Sequence, residues 1–178
     1  MMKKIIILAN DTGGLLRFRG MLIKKLMEAY NVFCAIPYST EIDKVQKLCT
    51  KTIDIPMNRR GINPIHDFGL MLKYYSLLAK EKPDYVITYT IKPNIYGGLV
   101  CRFLKIPYAV NVTGLGTAFE KKGMLQTLVT IMNRLACKKA KVVFFENEYN
   151  RRFYVDHKII NEKQSFRLNG AGVDLNHI

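Results

Sequence analysis

The organisation of this chain is decided by the stretch Asn111-Val112-Thr113-Gly114-Leu115-Gly116-Thr117-Ala118-Phe119. It follows the apolar run Ile106-Pro107-Tyr108-Ala109-Val110, which is typical of a buried parallel strand. Two glycines and two threonines then form a loop whose backbone N–H groups can face a ligand. Ligands of open α/β sheets bind where strands end in such loops. We therefore predict that this loop forms one rim of a phosphate- and sugar-binding cleft, together with residues 11–14 and 89–94.

Strand-like and helix-like segments alternate along the chain. Short apolar runs predict strands at residues 4–9, 32–37, 52–55, 85–88, 106–110, 141–145 and 165–168. Amphipathic spacing predicts helices at residues 18–30, 41–49, 64–81, 93–104, 124–139 and 147–156. This alternation indicates an α/β fold with a doubly wound, mainly parallel Rossmann-like sheet. The 178 residues suffice for one domain with an ordinary core.

The charge balance indicates an anionic partner. The chain has 28 Lys and Arg against 14 Asp and Glu, a formal net charge of +14. Nucleic acid, a phospholipid surface and a phosphorylated substrate all fit this charge. No recognised nucleic-acid module or its aromatic signature is present, so we expect no nucleic-acid partner.

Residues 121–141 favour an anionic membrane surface as one partner. This stretch has six cations, no acid and an interleaved apolar stripe, which predicts a basic amphipathic helix lying on a bilayer. The predicted membrane-surface residues are Lys121, Lys122, Arg134, Lys138 and Lys139. The alternative is a sheet-packing helix with a solvated basic face. No apolar run approaches the twenty or so residues of a spanning helix, and residues 5–9 are too few for a secretory signal.

Several familiar kinds of site are disfavoured. Cys34, Cys49, Cys101 and Cys137 are widely spaced without a C-x-x-C pair, which indicates reduced core thiols; a zinc site or a disulfide framework is the alternative. No Walker lysine motif and no G-x-G-x-x-G occur, and no acidic residue ends the second strand. The histidines at 66, 157 and 177 are interpreted as surface residues. No nucleophile–base pair is visible.

Two strand ends carry candidate ligand-binding residues. Gly13 and Gly14 permit close approach of a phosphate to the backbone, although a tight β-α turn explains them equally well. Lys92 and Asn94 stand before a predicted helix, where they suit a phosphate or a sugar hydroxyl. The alternative for this second pair is an N-capping segment with a solvated lysine.

A third strand end carries Glu146 and Asn147, whose oxygens can accept hydrogen bonds from sugar hydroxyls. Alternatively, Asn147 caps the helix that follows and the glutamates complement its dipole.

Four sequence pieces, taken in order, resemble a known enzyme family. They are Asn10-Asp11 before Phe18-Arg19-Gly20, Lys92-Pro93-Asn94-Ile95-Tyr96-Gly97, Asn111-Val112-Thr113-Gly114-Leu115-Gly116 and Asn169-Gly170-Ala171-Gly172-Val173-Asp174. Over all 178 residues the chain looks like the N-terminal half of a bacterial retaining glycosyltransferase with a GT-B fold. The members of this family that the chain resembles synthesise capsule, O-antigen and lipid-linked oligosaccharides.

The resemblance implies an enzyme of two Rossmann-like domains that face each other across a cleft. The N-terminal domain, here residues 1–178, holds a lipid-diphosphate-linked glycan acceptor and rests peripherally on the inner, cytoplasmic face of the membrane. The C-terminal domain holds the nucleotide-sugar donor, typically a UDP-sugar, and is expected to be missing from this chain. No metal or other cofactor is implied, because a helix dipole and basic side chains can stabilise the leaving diphosphate. In this family the departing phosphate is thought to take the acceptor's proton, so the lack of an obvious base does not contradict the resemblance. The catalytic residues stay unassigned, and the chain alone is expected to be inactive.

Carried over position by position, the resemblance implies the following roles. Gly13 and Gly14 approach the donor phosphates, while Lys92, Asn94, Thr113, Gly114 and Gly116 line the acceptor side near Glu146 and Asn147. Two other classes of protein stay open. One is a non-catalytic, membrane-docking subunit that recruits a donor-binding partner, and the other is a different nucleotide-using Rossmann enzyme.

Overall fold

The computed structural model describes residues 2–59, 63–116 and 123–171. Its strands are β1 (Lys4–Leu8), β2 (Asn31–Ile36), β3 (Lys51–Asp54), β4 (Tyr85–Tyr89), β5 (Tyr108–Val112), β6 (Val142–Phe145) and β7 (Ser165–Arg167). Its helices are α1 (Thr12–Met27), α2 (Ile42–Gln46), α3 (Pro64–Glu81), α4 (Gly98–Leu104), α5 (Met124–Cys137) and α6 (Glu148–Asp156). A π-helical turn, Pro93–Gly97, leads into α4, and a short 3₁₀ helix, Glu162–Gln164, precedes β7.

The seven strands form one sheet in the order β3-β2-β1-β4-β5-β6-β7, and every neighbouring pair is parallel. This confirms the predicted doubly wound Rossmann-like architecture. The direction of winding reverses between β1 and β4, so the loops after these two strands diverge and leave a crevice at the carboxyl edge.

Both faces of the sheet are covered, and β1 shows how its sequence achieves this. Ile5 and Ile7 point into a cluster with residues of α1 and α2, whereas Ile6 and Leu8 point into a cluster with residues of α3 to α6. Because side chains alternate along a strand, a strand buried on both sides needs a continuous apolar run. The four cysteines also lie inside these two clusters, as predicted for core thiols.

The predicted start of α1 at residue 18 is wrong, because the helix begins at Thr12. Asp11 is its N-cap: the Asp11 carboxylate accepts a 2.7 Å hydrogen bond from the Gly14 N–H, and Leu15 N–H bonds to the Asp11 carbonyl. An aspartate cap offsets the low helix propensity of the two glycines that follow it. Gly13 and Gly14 therefore belong to the first turn of a helix and not to a loop.

The predicted end of β5 at Val110 is also wrong, because the strand continues through Asn111 to Val112. Asn111 pairs with Tyr89 of β4 and with Phe144 of β6, and it is buried. Its main chain makes ladder bonds, while its side-chain oxygen Oδ1 is buried without a hydrogen-bond partner among the described residues. The loop that we placed at residues 111–119 thus begins at Thr113, and its residues 117–119 lie outside the described part of the chain.

The remaining helices differ from prediction only at their ends. The predicted helix 41–49 is shorter (α2, Ile42–Gln46), 124–139 ends at Cys137, and 93–104 starts with the π-helical turn. Asn147 is the N-cap of α6 and not its first residue, because its side chain accepts a 2.8 Å hydrogen bond from Asn150 N–H.

Helix α3 presents two apolar faces. Its inner face is buried and is formed by Leu70, Tyr74, Leu77 and Leu78. Its outer face carries a second apolar row, Ile65, Phe68, Leu72 and Tyr75, which is exposed. Apolar side chains therefore stand on the outside of the molecule along most of this helix.

Candidate active-site cleft

A cavity of about 370 Å³ lies at the carboxyl edge of the sheet, over the reversal between β1 and β4. It is lined by residues that follow β1, β4, β5 and β6, by one face of α1 and by the segment after β3. The polar lining residues are Asn10, Asp11, Arg17, Arg19, Arg59, Thr90, Thr113 and Glu146, with Tyr89 beside them. Four strand ends thus converge on one crevice, as parallel sheets require of a ligand site.

Asp11 organises the α1 side of the cleft with both carboxylate oxygens. Oδ2 caps Gly14 N–H, and Oδ1 accepts a 3.0 Å hydrogen bond from Nη1 of Arg59, in the segment after β3. On the other side of the turn, Thr12 donates a hydrogen bond of 2.5 Å to the Pro37 carbonyl. The end of β2 is thereby tied to the start of α1.

Gly13 is buried and faces Glu41. A side chain at Gly13 would place its Cβ 2.8 Å from Oε2 of Glu41 and 3.6 Å from an Nη atom of Arg17. Of the predicted phosphate-binding pair, Gly14 lines the cleft and Gly13 does not.

A buried ion pair between Arg19 and Glu146 forms the floor of the cleft. Arg19 Nη2 binds Oε1 of Glu146, and Nη1 donates hydrogen bonds to the Phe18 and Ala171 carbonyls. The guanidinium also stands 4.8 Å from the ring centroid of Tyr89. Burial raises the pKa of Tyr89 to about 12 despite this neighbouring cation. The other Glu146 oxygen, Oε2, has no protein partner in the described part of the chain, so it is open to a ligand in the cavity.

Thr90, directly after β4, has a strained backbone. Its φ is +72°, a left-handed conformation that is an outlier for a β-branched residue and costs about 1–3 kcal/mol. Its hydroxyl is buried and has no hydrogen-bond partner within residues 2–59, 63–116 and 123–171. Thr90 and Thr113 both line the cleft, so the predicted rim at residues 89–94 reaches the cavity through Tyr89 and Thr90.

Lys92 and Asn94 lie behind that rim. Lys92 forms a 2.6 Å ion pair with Asp67 of α3, and the two side chains are 11% and 5% exposed. Asn94 is buried; its amide donates to the Asn111 carbonyl, and its oxygen accepts from the Thr88 hydroxyl. Burial and the Asp67 carboxylate raise the pKa of neighbouring Tyr96. In this conformation both predicted binding side chains connect β4 to other parts of the fold, and neither lines the cavity.

The other predicted residues divide in the same way. Thr113 and Glu146 line the cavity, while Gly114, Gly116 and Asn147 do not. Gly116 has φ +77°, and a Cβ there would collide with Cδ1 of Ile91, so this glycine lets the β5–α5 loop lie against the β4 loop.

Arg17 and Arg59 line the cleft but were not predicted as ligand-binding residues. Arg17 comes one helical turn after Gly14, so a helix begun at the Asp11 cap would have placed it beside the cleft. For Arg59 the sequence gives no such signal, because nothing local shows that it reaches Asp11.

Exposed apolar residues of α3, α4 and α5 form a second feature, called here the exposed apolar surface. Its members are Ile65, Phe68, Leu72 and Tyr75 of α3, Phe103 of α4, and Met124, Leu125, Leu128, Ile131 and Leu135 of α5. The rings of Tyr75 and Phe103 are 5.9 Å apart, and α4 packs between α3 and α5. Ile65 and Met124, in the first turns of their helices, are 84% and 90% exposed.

The predicted membrane-surface cations lie at the far end of α5. Arg134, Lys138 and Lys139 are exposed, and Arg134 also donates a 2.8 Å hydrogen bond to the His157 carbonyl. Lys121 and Lys122 lie outside the described residues. No described helix is both long enough and apolar enough to cross a bilayer.

Neither of the two described histidines lines the cleft. His66 is exposed, and the His157 ring stacks on Phe153 with centroids 3.9 Å apart, while His177 lies outside the described residues. Within the described ranges, no group of three or more His, Cys, Asp and Glu side chains is arranged to hold a metal ion.

A family model described as "Glycosyl transferase 4-like" matches residues 4–147. The chain belongs to this family. The match runs from β1 to the cap of α6, so it includes the cleft-lining residues from β1 through Glu146. The resemblance that the sequence motifs indicated is thereby confirmed.

Among curated proteins, this glycosyl transferase 4-like chain is similar to N,N'-diacetylbacillosaminyl-diphospho-undecaprenol alpha-1,3-N-acetylgalactosaminyltransferase of Campylobacter jejuni. The two are 29% identical over 160 residues, which cover 84% of this chain and 42% of that enzyme. The chain thus spans less than half the length of this relative.

Solved structures share the fold at low identity. MurG of Acinetobacter baumannii superposes with a TM-score of 0.64 at 16% identity, covering 99% of this chain and 47% of MurG. UDP-N-acetylglucosamine 2-epimerase of Rickettsia bellii gives a TM-score of 0.67 at 15% identity, covering 94% of this chain and 44% of the epimerase. The fold therefore corresponds to one half of a GT-B architecture, as predicted.

Proposed function

We propose that this chain is the acceptor-binding half of a retaining glycosyltransferase. The complete enzyme transfers a sugar from a nucleotide-sugar, in our proposal a UDP-sugar, to a lipid-diphosphate-linked glycan during surface polysaccharide or oligosaccharide synthesis. A C-terminal donor-binding domain, separate from residues 1–178, supplies the nucleotide site. The Campylobacter relative, whose name describes transfer to a diphospho-undecaprenol-linked sugar, supports this acceptor class.

The observation that carries the proposal is the polar floor of the cleft. Glu146 lines the cavity; Arg19 holds one of its carboxylate oxygens, and the second oxygen has no protein partner in the described chain. A carboxylate oxygen held in this way accepts a hydrogen bond from a sugar hydroxyl, and its orientation is fixed before the ligand arrives. Thr113 supplies a hydroxyl on the same cavity wall.

The exposed apolar surface supports a bilayer as the place where this enzyme works. Single exposed apolar residues are ordinary, but a contiguous set on three neighbouring helices favours a binding surface. Cations at the end of α5 and the net charge of +14 match it to anionic lipid. We propose peripheral binding to the cytoplasmic face of the cell membrane, with no metal or other cofactor in the reaction.

The decisive experiment is sugar transfer by the complete gene product. It is incubated with labelled UDP-sugars and bacterial membrane extract, and label in the lipid-linked fraction is measured. We expect transfer from at least one UDP-sugar, and a fall in kcat/KM of about tenfold or more in Glu146→Gln, since a hydrogen bond to a charged group is weakened.

Glu162→Gln is the matched control. Glu162 precedes β7, so it lies at the amino edge of the sheet and not at the carboxyl edge, where the cleft is. Absence of transfer from every nucleotide-sugar tested would refute the proposed function. The 178-residue chain alone is expected to transfer nothing and to bind UDP weakly; submicromolar binding of UDP would contradict the division into acceptor and donor halves.

A further inference from the structure

The cleft is lined by five charged side chains that are not equivalent. Three are arginines, at 17, 19 and 59, and two are acids, Asp11 and Glu146. Arg19 and Glu146 are largely buried and satisfy each other, with side chains 7% and 18% exposed. Because separating them would leave a buried charge, this pair is permanently engaged. A cation that is available to an anionic ligand must therefore come from Arg17 or Arg59.

The ion pair between Arg59 and Asp11 is of the opposite kind. Its arginine side chain is 59% exposed, and the two atoms are 3.0 Å apart. Exposed pairs of this type contribute about 0–1 kcal/mol, so a ligand anion can replace Asp11 as the partner of Arg59 at little cost. Asp11 would keep its other role, since Oδ2 still caps Gly14 N–H.

Arg17 has no ion-pair partner in the described part of the chain. It is exposed on the cleft face of α1, one turn after Gly14. Glu41 lies near it, since Oε2 of Glu41 and Nη2 of Arg17 are 2.8 and 3.6 Å from the position that a Cβ at Gly13 would take, but the ion pair that Glu41 forms is with Lys44. Arg17 therefore carries a charge that the fold itself does not use.

We propose that Arg17 and Arg59 together bind a diphosphate group at the mouth of the cleft, and that Asp11 competes with this group for Arg59. Two planar guanidinium groups on neighbouring walls match the oxygens of two linked phosphates, because each can form paired, charge-assisted hydrogen bonds. This inference rests on the proposed function, in which both the donor and the acceptor carry a diphosphate. It adds the two residues that hold the group and the residue that opposes it.

The test is a titration of the 178-residue chain with inorganic pyrophosphate at fixed ionic strength. NMR of the arginine Nε–Hε groups reports occupancy directly and detects millimolar affinity. We expect Arg17→Gln and Arg59→Gln each to weaken binding about five- to tenfold, as for loss of a charge-assisted hydrogen bond at a partly exposed site. Lys24→Gln removes the same charge from the exposed, C-terminal end of α1 and should leave binding unchanged.

Asp11→Asn gives the sharper result, because its expected effect has the opposite sign. Asparagine caps a helix as well as aspartate does, so α1 keeps its start while Arg59 loses its competitor. We expect pyrophosphate to bind a few-fold more tightly. Equal binding by wild type, Arg17→Gln and Arg59→Gln, or weaker binding by a folded Asp11→Asn, would overturn the proposal. Circular dichroism establishes folding, and the exposed Arg17 variant keeps the test decisive if Asp11→Asn unfolds.

Two further ligands identify the source of the diphosphate. Loss of farnesyl diphosphate binding in the arginine variants, with UDP binding unchanged, assigns the pair to the lipid-linked acceptor. The reverse pattern assigns it to the donor, and either pattern supports diphosphate binding. These equilibrium measurements need no sugar transfer, so an inactive complete enzyme with arginine-dependent pyrophosphate binding would refute the proposed function while leaving this inference standing.

Discussion

Removing Lys92 should destabilise the fold strongly, because its ion pair with Asp67 is nearly enclosed. The side chains are 11% and 5% exposed, and Nζ lies 2.6 Å from Oδ1 of Asp67. In Lys92→Met, Asp67 keeps a 3.3 Å hydrogen bond from Asn63 N–H and its interaction with the Tyr96 hydroxyl, but it loses its cationic partner. Leaving one charge of a buried pair without its partner costs about 3–5 kcal/mol. In a domain of this size, that loss lowers Tm by roughly 6–20 °C.

The assay is urea unfolding at neutral pH, followed by circular dichroism. The double variant Lys92→Met/Asp67→Leu removes both charges and should recover most of the loss, since an apolar pair of similar volume replaces a buried ion pair at little net cost. Lys73→Met is the control, because Lys73 is exposed on α3, the helix that carries Asp67. It should change the free energy of unfolding by no more than about 0.5 kcal/mol. If Lys92→Met is as stable as this control, or if the double variant is no more stable than the single one, the ion pair does not stabilise the fold. A ligand-binding role for Lys92 would then be favoured.

Three further predictions concern other parts of the molecule. The chain should bind anionic liposomes and release them as the salt concentration rises. The double variant Ile65→Ser/Met124→Ser should weaken co-sedimentation with the liposomes at least tenfold, given about 1.5–3 kcal/mol per buried apolar side chain, whereas Tyr149→Ser on α6 should not. Equal binding by the wild type, the double variant and Tyr149→Ser would count against the exposed apolar surface. Gly116→Ala should lower the free energy of unfolding by about 1–3 kcal/mol, because φ is +77° and the new Cβ meets Ile91. Gly114→Ala, whose Cβ meets nothing within 4 Å, should be close to neutral, and equal losses in the two variants would contradict this account. Hydrogen bonds from Arg151 and then Arg152 lower the pKa of Glu148 to about 2. The stabilisation from Glu148 is therefore fully present above the usual carboxyl pKa of about 4.3 and is lost as the pH falls towards 2. Glu148→Gln should make Tm depend less on pH in that window, and a Tm profile unchanged from wild type would refute the assignment.

The sheet was predictable because most of its strands can be recognised from their local sequence. A strand covered on both faces needs a continuous apolar run, and such runs recur between amphipathic segments from residue 4 to residue 168. The ends of elements were less predictable. At the start of α1, two glycines indicate a loop by propensity, and only the hydrogen bond from Gly14 to Asp11 turns them into helix. That error of six residues also concealed Arg17.

The partners of charged side chains were not predictable at all. Lys92 meets a residue 25 positions away, and Arg19 meets one 127 positions away. No periodicity or turn signal encodes such a meeting, because it depends on which strand ends the topology brings together. Glu146 could be assigned to a strand end from the sequence, and the cavity lies at that edge. The sequence could not distinguish Arg19, which pairs with Glu146, from Arg17, which has no ion-pair partner among the described residues.

The position of the exposed apolar surface bears on how the cleft would meet the lipid-linked acceptor that we propose. Helices α3 and α5 each follow a strand of the parallel sheet, so both begin at the carboxyl edge, where the cleft lies. Their most exposed apolar residues, Ile65 and Met124, are in those first turns. A bilayer that contacted these residues would therefore lie beside the cleft and not behind the sheet. In that arrangement a lipid tail stays in the membrane while its diphosphate reaches Arg59, six residues before Ile65 in the chain. The order of groups along such an acceptor, from lipid to diphosphate to sugar, would match the order of surfaces from α3 to Arg59 to Glu146.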